Sequence, residues 1–168
     1  MKTLYLIRHA KSSWDNPDLS DFDRPLNKRG EKDAPTMAKR LKEKQLTPDF
    51  MITSPAVRAL DTCIAFAKIL GYDKAKIKTD KRLYHASEDQ ILTVIRELKV
   101  HERDEEEVVF LFGHNPGLTE FANSLLNEYI DNIPTCGIVK ATLQIERWKD
   151  ADFGCGELGF FDFPKNNE

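Results

Sequence analysis

The sequence has no long apolar run. A membrane-spanning helix needs about 20 consecutive apolar residues, whereas the first apolar stretch, residues 4–7, is followed at once by Arg8 and His9. No small-residue cleavage site follows it, so the stretch lacks the pattern of a signal peptide. We therefore expect a cytoplasmic protein that has no membrane partner.

Cysteine is scarce as well. Cys63, Cys136 and Cys155 are odd in number and far apart, whereas disulfide frameworks and zinc sites need paired spacings. The pattern favours reduced thiols. The sequence also contains no carboxylate cluster with metal-ligand spacing, so we expect no metal and no other cofactor.

Positive charge is not in excess. The chain has 25 Lys and Arg against 28 Asp and Glu, a net charge of -3. Proteins that bind nucleic acids electrostatically carry basic faces, so we expect no nucleic-acid partner, although a small basic pocket is compatible with this balance. With 168 residues, 40% of them hydrophobic, the chain is long enough for one domain with its own core and too short for two.

Short apolar runs alternate with helical patterns along the chain. The patterns predict strands at 3–7, 50–52, 77–83, 108–112 and 137–146, with a last strand or edge hairpin within 153–164. Helices are predicted at 28–44, 55–70, 87–98 and 118–129, between these strands. The order predicts an α/β fold, a three-layer sandwich with a mostly parallel mixed sheet flanked by helices.

Residues that typically begin or end helices lie at the boundaries of these predicted helices. Asn27, Ser54 and Ser87 are predicted helix caps, with Pro55 as a first helical residue and Gly71 as a helix end. The polar segment 11–29 is predicted to be a loop, and long ordered loops in compact domains are usually functional. The charged run 102–107 is predicted to be a solvated loop.

Polar side chains follow three of the predicted strands. They are Arg8 and His9 after the first strand, Ser54 and, one turn later, Arg58 after the second, and His114 and Asn115 after the 108–112 strand. Helical crossovers favour parallel strands, whose carboxyl ends meet at one rim where ligands bind. Arginine forks match phosphate oxygens, helix N-termini favour anions, and an imidazole can attack phosphorus. These residues therefore predict an anion site that contains a nucleophile.

The motifs at these strand ends resemble those of the histidine phosphatase superfamily, which has the phosphoglycerate mutase-like fold. They are Arg8-His9-Ala10, Ser54-Pro55 with Arg58-Ala59 and Thr62, and Gly113-His114-Asn115-Pro116. The small size, the Asp23-Arg24-Pro25-Leu26 segment and the lack of an inserted cap domain resemble the SixA-type phosphohistidine phosphatases. The resemblance covers nearly the whole chain and implies a single histidine phosphatase domain over residues 1–168.

The resemblance also implies roles for individual residues. His9 is expected to be the nucleophile that becomes phosphorylated, and Arg8, Arg58 and His114 are expected to hold the phosphoryl oxygens of a phosphate or other oxyanion. The further candidates for substrate binding are Lys11, Ser12, Arg24, His85 and Asn115. Catalysis of phosphoryl transfer is mostly positioning and electrostatic stabilisation, so a phosphatase with this many cations requires no metal.

His9 must be neutral to attack phosphorus. The cations Arg8 and Arg58 lower the pKa of a nearby imidazole, which favours the neutral form. One ring nitrogen has to face phosphorus, and we expect the other to bond a backbone carbonyl.

The predicted general acid is weak. Larger members of the family that cleave phosphate esters carry a Glu or Asp acid after the third strand, whereas His85 stands at the start of that turn here and Glu88 lies in the following helix cap. An alkoxide leaving group needs protonation. The imidazole of phosphohistidine leaves neutral once its other nitrogen is protonated, so we expect a phosphohistidine phosphatase that acts on phosphorylated proteins.

Two other functions stay open at this point. A phosphomonoesterase for sugar or nucleotide phosphates would need an acid, for which Glu88 and Asp89 are the candidates. A non-catalytic module that binds phosphorylated partners would use the arginines and would tolerate the loss of His9. An open rim without a cap domain suits a bulky protein substrate better than a small metabolite.

Overall fold

A computed structural model describes residues 1–100 and 106–166, and within them the chain forms six strands and four α-helices. The strands are β1 (Lys2–Arg8), β2 (Phe50–Thr53), β3 (Lys78–Thr79), β4 (Glu107–Gly113), β5 (Ile138–Leu143) and β6 (Gly156–Asp162). The helices are α1 (Lys28–Glu43), α2 (Val57–Leu70), α3 (Glu88–Arg96) and α4 (Gly117–Leu125). None of these helices is both long and apolar enough to cross a membrane.

The six strands form one mixed sheet in the order β3-β2-β4-β1-β5-β6. The pairs β3-β2, β2-β4 and β4-β1 are parallel, and β5 and β6 run antiparallel at the other edge. The register pairs Arg8 with Gly113, so the residues after β1 and β4 emerge side by side. The predicted parallel arrangement of the site-bearing strands is confirmed.

Each face of the sheet is covered by a pair of helices. Alternate side chains of a strand point to opposite faces, so Leu4 and Leu6 pack with α3 and α4 while Tyr5 and Ile7 pack with α1 and α2. Both faces are apolar, as expected for strands buried on two sides. The predicted three-layer sandwich is confirmed.

Most of the predicted helix ends are confirmed. The side chain of Asn27 accepts a bond from the Gly30 N–H, Ser87 forms a capping box with Gln90, and Gly71 ends α2 with φ 74°. The predictions of Ser54 as a cap and Pro55 as the first helical residue are wrong, because α2 begins at Val57 with Ala56 as its N-cap. The hydroxyl of Ser54 instead bonds the ring of His114 at 2.8 Å, which removes it from helix capping.

Three predicted elements are shorter than expected, and one of them is the strand at 137–146, which is reduced to β5. The strand at 77–83 is reduced to β3, because Asp80 caps a 3-10 turn over Lys81–Leu83. The helix at 118–129 ends at Leu125. The side chain of Asn123 exchanges two bonds with the backbone of Ile130 and turns the chain away from the helix axis. The tail forms a strand, β6, at the sheet edge.

The structure describes only part of the charged run 102–107. Residues 101–105 lie outside the described residues, and Glu106 is exposed. The prediction is wrong for Glu107, which is 1% exposed at the start of β4. Its carboxylate accepts bonds from Lys2 Nζ at 2.6 Å and from Trp148 Nε1 at 3.2 Å. These partners explain why this acidic residue is buried.

The predicted loop 11–29 is an ordered connection that ends where α1 begins. It contains a 3-10 turn at Asp21–Asp23 and a bridge between Ser12 and Leu26. Gly30 packs so closely against it that a Cβ atom would lie 2.1 Å from the Lys11 carbonyl oxygen. Only glycine fits this approach. The loop is thereby held against the carboxyl end of the sheet.

Candidate active site

The carboxyl ends of β1, β2 and β4 meet in one place. The His9 N–H donates to the Gly113 carbonyl at 3.1 Å, and the Ser54 N–H donates to the Phe112 carbonyl at 3.1 Å. The rings of His9 and His114 lie 5.1 Å apart between centroids. Arg58 joins them through Asp21, which bonds both Arg58 and the Tyr84 hydroxyl, and the Tyr84 ring lies 5.5 Å from that of His114. The four principal residues predicted from the strand ends are thus brought together.

One ring nitrogen of His9 makes a hydrogen bond, and the other has none among the described residues. Its Nδ1 lies 2.7 Å from the carbonyl oxygen of Ala10, an acceptor only, so the ring hydrogen is assigned to Nδ1. Nε2 then carries the lone pair. Thr62 bonds both the Ala10 N–H and the Arg58 carbonyl, at 3.0 and 2.7 Å, and so links the end of β1 to the first turn of α2.

Burial keeps His9 neutral. Loss of hydration lowers the pKa of His9 to about 4, an effect that the bond to Ala10 opposes and that Arg58, Arg8 and Arg24 reinforce. The cations proposed from the sequence thus contribute, but burial contributes most. At neutral pH the ring has the protonation state that a nucleophile needs.

His114 is arranged as a neutral hydrogen-bond donor. Burial, reinforced by the neighbouring His9 and Arg58, lowers the pKa of His114 to about 3. The Ser54 hydroxyl accepts a bond from the Ala56 N–H at 3.2 Å and lies 2.8 Å from His114 Nε2. Among the described contacts of this hydroxyl, Nε2 is the one acceptor for its hydrogen, so we assign the hydroxyl as the donor to Nε2 and the ring hydrogen to Nδ1. Nδ1 is then a donor available to an anion.

Several donors at this site have no partner. Among the described residues, four buried side-chain polar atoms lack a hydrogen bond, and three of them are Arg8 Nε, Arg58 Nε and His114 Nδ1. Buried polar groups are almost always bonded, so three such atoms in one place indicate a position for a bound group. All three are donors, and an oxyanion satisfies donors.

The arginines are anchored by their other nitrogens. Arg8 Nη1 donates to the Ile133 carbonyl at 3.0 Å. Arg58 is 4% exposed, and its Nη1 donates to the Asp21 carbonyl at 2.6 Å. Burial, followed by the neighbouring Arg58 charge, lowers the pKa of Arg8. Anchored guanidinium groups present their remaining donors in a defined direction.

Asp21 is a site residue that the pattern of strand ends does not predict. Its Oδ2 accepts from Arg58 Nη2 at 3.0 Å and from the Tyr84 hydroxyl at 2.7 Å. Its Oδ1 accepts from Arg24 Nε and Nη2, both at 3.1 Å. Partial burial alone would raise the pKa of Asp21, but the bonds from Tyr84, Arg58 and Arg24 hold it well below its usual range. The group is a carboxylate at neutral pH.

Three of the lower-ranked candidates are at the edge of this network. Arg24 also donates to Ser12 Oγ at 2.7 Å, and its guanidinium lies 3.5 Å from the ring centroid of the exposed Trp14. Ser12 is therefore occupied as a support of Arg24. The exposed His85 has its Nε2 3.9 Å from Asp21 Oδ2.

The other three candidates are directed elsewhere. The amide of Asn115 donates to Asn132 and to the Ile133 carbonyl and accepts from Thr119, so it organises the loop after α4. Glu88 bonds Ser124 at 2.5 Å on the outer side of α4. The side chain of Lys11 is exposed. The structure gives the amide of Asn115 and the carboxyl of Glu88 other partners, which argues against direct roles for them.

The family model for the histidine phosphatase superfamily (branch 1) matches residues 4–91, more than half of the chain. The chain belongs to the histidine phosphatase superfamily. It is therefore a phosphatase of a family that needs no metal, and the cations of the site provide the positive charge.

Relatives of this histidine phosphatase match over most of its length. An uncharacterised protein of Mycobacterium tuberculosis is 31% identical over 171 residues, which covers 95% of this chain and 100% of that protein. A protein of Agrobacterium tumefaciens, provisionally assigned as the phosphohistidine phosphatase SixA, is 27% identical, with a TM-score of 0.77 and coverage of 96% and 97%. The protein histidine phosphatase SixA in complex with tungstate has a TM-score of 0.82 at 20% identity, with 99% of each chain covered. The structure is of SixA type.

Proposed function

We propose that this histidine phosphatase removes the phosphoryl group from phosphohistidine in proteins, through a covalent intermediate on His9. The observation that carries the proposal is the state of the His9 ring. Its Nδ1 is bonded to the Ala10 carbonyl, which leaves the lone pair on Nε2, and the same site contains three donors without a protein partner. A lone pair next to an oxyanion site is the arrangement that nucleophilic attack on phosphorus requires.

The reaction has two steps. In the first, the His9 Nε2 lone pair forms a bond to phosphorus, the P–N bond of the substrate breaks, and its electron pair goes to the leaving imidazole. In the second, water attacks phospho-His9, the Nε2–P bond breaks with its electron pair returning to His9, and the protons of water remain on the phosphate released. Arg8, Arg58 and His114 stabilise the equatorial oxygens in both steps.

The states of the carboxyl groups near the site support a phosphohistidine substrate. An ester leaves as an alkoxide and needs a proton donor. Asp21, the carboxyl group among the site arginines, is held ionised, and Glu88 is bonded to Ser124. A phosphohistidine ring protonated on its other nitrogen leaves neutral and needs no such donor. The similarity to SixA proteins also supports this substrate class.

The expected cytoplasmic location is part of the same proposal. All three cysteines are free thiols, two of them buried, which suits a reducing compartment. A phosphorylated protein in that compartment would be the substrate.

The test is to incubate the protein with a phosphohistidine protein and, separately, with acetyl phosphate, and to trap acid-labile phosphate on the chain. We expect trapped phosphate and turnover in the wild type and neither in His9→Ala, with His101→Ala as the control for loss of a histidine. Wild-type turnover by His9→Ala would disprove the covalent mechanism.

The same assay separates the other two functions. Faster hydrolysis of sugar or nucleotide phosphates than of phosphohistidine would establish a phosphomonoesterase instead. Binding of phosphoprotein without turnover, retained in His9→Ala, would establish a binding module.

A further inference from the structure

The site has a corner that the two-step mechanism does not use. Asp21 and Tyr84 meet there through a 2.7 Å bond, and the Asp21 side chain is 40% exposed although it binds the buried Arg58. Its carboxylate thus extends from the phosphoryl clamp to the mouth of the site.

Aromatic rings follow one another from the nucleophile to this corner. The His9 and His114 centroids are 5.1 Å apart, those of His114 and Tyr84 are 5.5 Å apart, and those of Tyr84 and His85 are 3.9 Å apart. An aromatic surface therefore continues from the attacking nitrogen toward solvent. A planar leaving group can pack on such a surface.

An imidazole of the protein already lies at this corner. The ring of His85 is tilted by 40° on that of Tyr84, and its Nε2 is 3.9 Å from Asp21 Oδ2. The side chain is 68% exposed and can leave. Its backbone has φ 57°, a left-handed conformation that is unfavourable for residues other than glycine and is frequent at functional sites. The corner accommodates an imidazole beside a carboxylate.

We propose that Tyr84 and Asp21 form a leaving-group subsite, in which the substrate's imidazole packs on Tyr84 with its protonated nitrogen facing Asp21. The proposal rests on the proposed function, because only a phosphohistidine substrate supplies such a ring. The ring of His85 moves aside when substrate enters.

In this subsite the imidazole of the substrate can leave without a proton transfer during the reaction. Asp21 favours the form of the substrate whose non-phosphorylated ring nitrogen carries a hydrogen, because that form is cationic. When His9 Nε2 bonds to phosphorus, the P–N electron pair returns to the ring, which leaves as neutral imidazole with that hydrogen still in place. The low pKa of Asp21, which its bonds to Tyr84, Arg58 and Arg24 produce against the effect of burial, keeps the carboxylate charged throughout.

The test compares two substrates that differ in the leaving group. Acetyl phosphate releases acetate, which has no ring and no N–H, whereas a phosphohistidine peptide releases imidazole. We expect Asp21→Asn to lower kcat/KM for the peptide about tenfold more than for acetyl phosphate, the effect of one charged hydrogen bond. Asp23→Asn is the matched control, because Asp23 is exposed and bonds Ser20. Equal losses with both substrates would mean that Asp21 only positions Arg58.

The pH profile gives an independent readout. In the wild type, kcat for the peptide falls with rising pH as the bound substrate ring loses its hydrogen. Asp21→Asn should move that fall to lower pH and leave the acetyl phosphate profile unchanged. An unmoved profile would overturn the subsite.

The aromatic half of the subsite is tested at Tyr84. Tyr84→Phe retains the ring and Tyr84→Leu removes it, so the peptide reaction should be about fivefold slower in the Leu variant than in the Phe variant, with acetyl phosphate unaffected by the difference. Equal rates for the two variants would contradict packing on the ring. If the wild type hydrolyses neither substrate, the proposed function fails; if it hydrolyses both and the substitutions do not change their ratio, only the subsite fails.

Discussion

The two ends of the sheet both bury cations, but in opposite ways. At the amino end, Lys2 is 1% exposed and its Nζ lies 2.6 Å from the carboxylate of Glu107, which Trp148 also bonds. At the carboxyl end, Arg8 and Arg58 each keep a buried Nε that has no partner among the described residues. The same sheet therefore holds an ion pair at one end and donors for an anion at the other.

The ion pair at the amino end contributes to stability, whereas the donors at the carboxyl end contribute to function. A buried pair contributes little net free energy compared with apolar packing, yet breaking it is strongly destabilising. Buried donors without a protein partner cost stability and are retained where a ligand supplies the partner. Substitutions at the two ends should therefore affect different measurements.

Among substitutions of these buried cations, the largest effect is expected from Arg8→Lys at the carboxyl end. Lysine keeps the charge but loses the planar fork, so kcat/KM should fall by about 100- to 1000-fold, the loss typical for one donor to a developing anion. Steady-state kinetics with acetyl phosphate checks this.

Arg40→Lys is the matched control for Arg8→Lys. Arg40 holds the C-terminal segment through Asp162 and the carbonyls of Phe163 and Pro164. The Arg40→Lys substitution should lower the free energy of unfolding and leave kcat/KM unchanged. An equal loss of activity in both variants would remove the distinction between the two kinds of arginine.

The next effect is expected at the amino end. Lys2→Met removes the ammonium group that pairs with the buried carboxylate of Glu107, and should lower the free energy of unfolding by about 3 kcal/mol. The double variant Lys2→Met with Glu107→Leu should recover most of this loss, and its kcat/KM should equal that of the wild type. Urea denaturation and kinetics measure both, and a loss of activity in the double variant would contradict the separation.

The buried histidines predict a dependence of stability on pH. The folded-state pKa of His9 is about 4 and that of His114 about 3, mainly because of burial. The unfolded chain protonates both near pH 6.5. Stability is therefore fully present above about pH 6.5 and falls with decreasing pH toward the folded pKa values, by about 1.4 kcal/mol per pH unit for each histidine.

Urea denaturation at about pH 7 and about pH 5 tests this expectation. His114→Gln should reduce the slope by about half, because only one of the two histidines then remains. A slope that is unchanged in this variant would show that other groups cause the dependence.

The smallest effect is expected from Ser54→Ala. The hydroxyl orients the His114 ring through a 2.8 Å bond, and its loss should lower kcat/KM about fivefold, equivalent to one neutral hydrogen bond. Thr93→Ala removes an exposed hydroxyl that bonds only the Asp89 carbonyl, and it should leave kcat/KM unchanged. Equal activity of Ser54→Ala and the wild type would mean that packing alone holds His114.

The principal residues could be predicted from the sequence because their placement follows from local patterns. Apolar runs of strand length end at Arg8-His9 and at His114, and the intervening helices require parallel strands whose ends meet. Arg58 follows from its position in the first turn of a helix after a third such strand. Each inference needs only a short window of sequence and one rule of topology.

Asp21 and Tyr84 could not be predicted in the same way. They lie 63 positions apart in the chain, in a loop and in the connection before α3, and no periodic pattern predicts where such segments lead. The spacing of Asp21 and Arg24 was the one local signal, and it indicated an ion pair without indicating that Arg58 shares it. Ser54 has the local features of a helix cap, and only the nearby ring of His114 explains its different role.

The sequence by itself thus determined the α/β architecture, the rim at which the strands end, and the histidines and arginines of the site, because hydrophobic periodicity and chain order are local properties. Only the tertiary structure decided which nitrogen of His9 is open, why its pKa is low, and that a carboxylate lies among the arginines. Those properties depend on burial and on contacts between segments that are distant in the chain, and a folded environment is needed to create them.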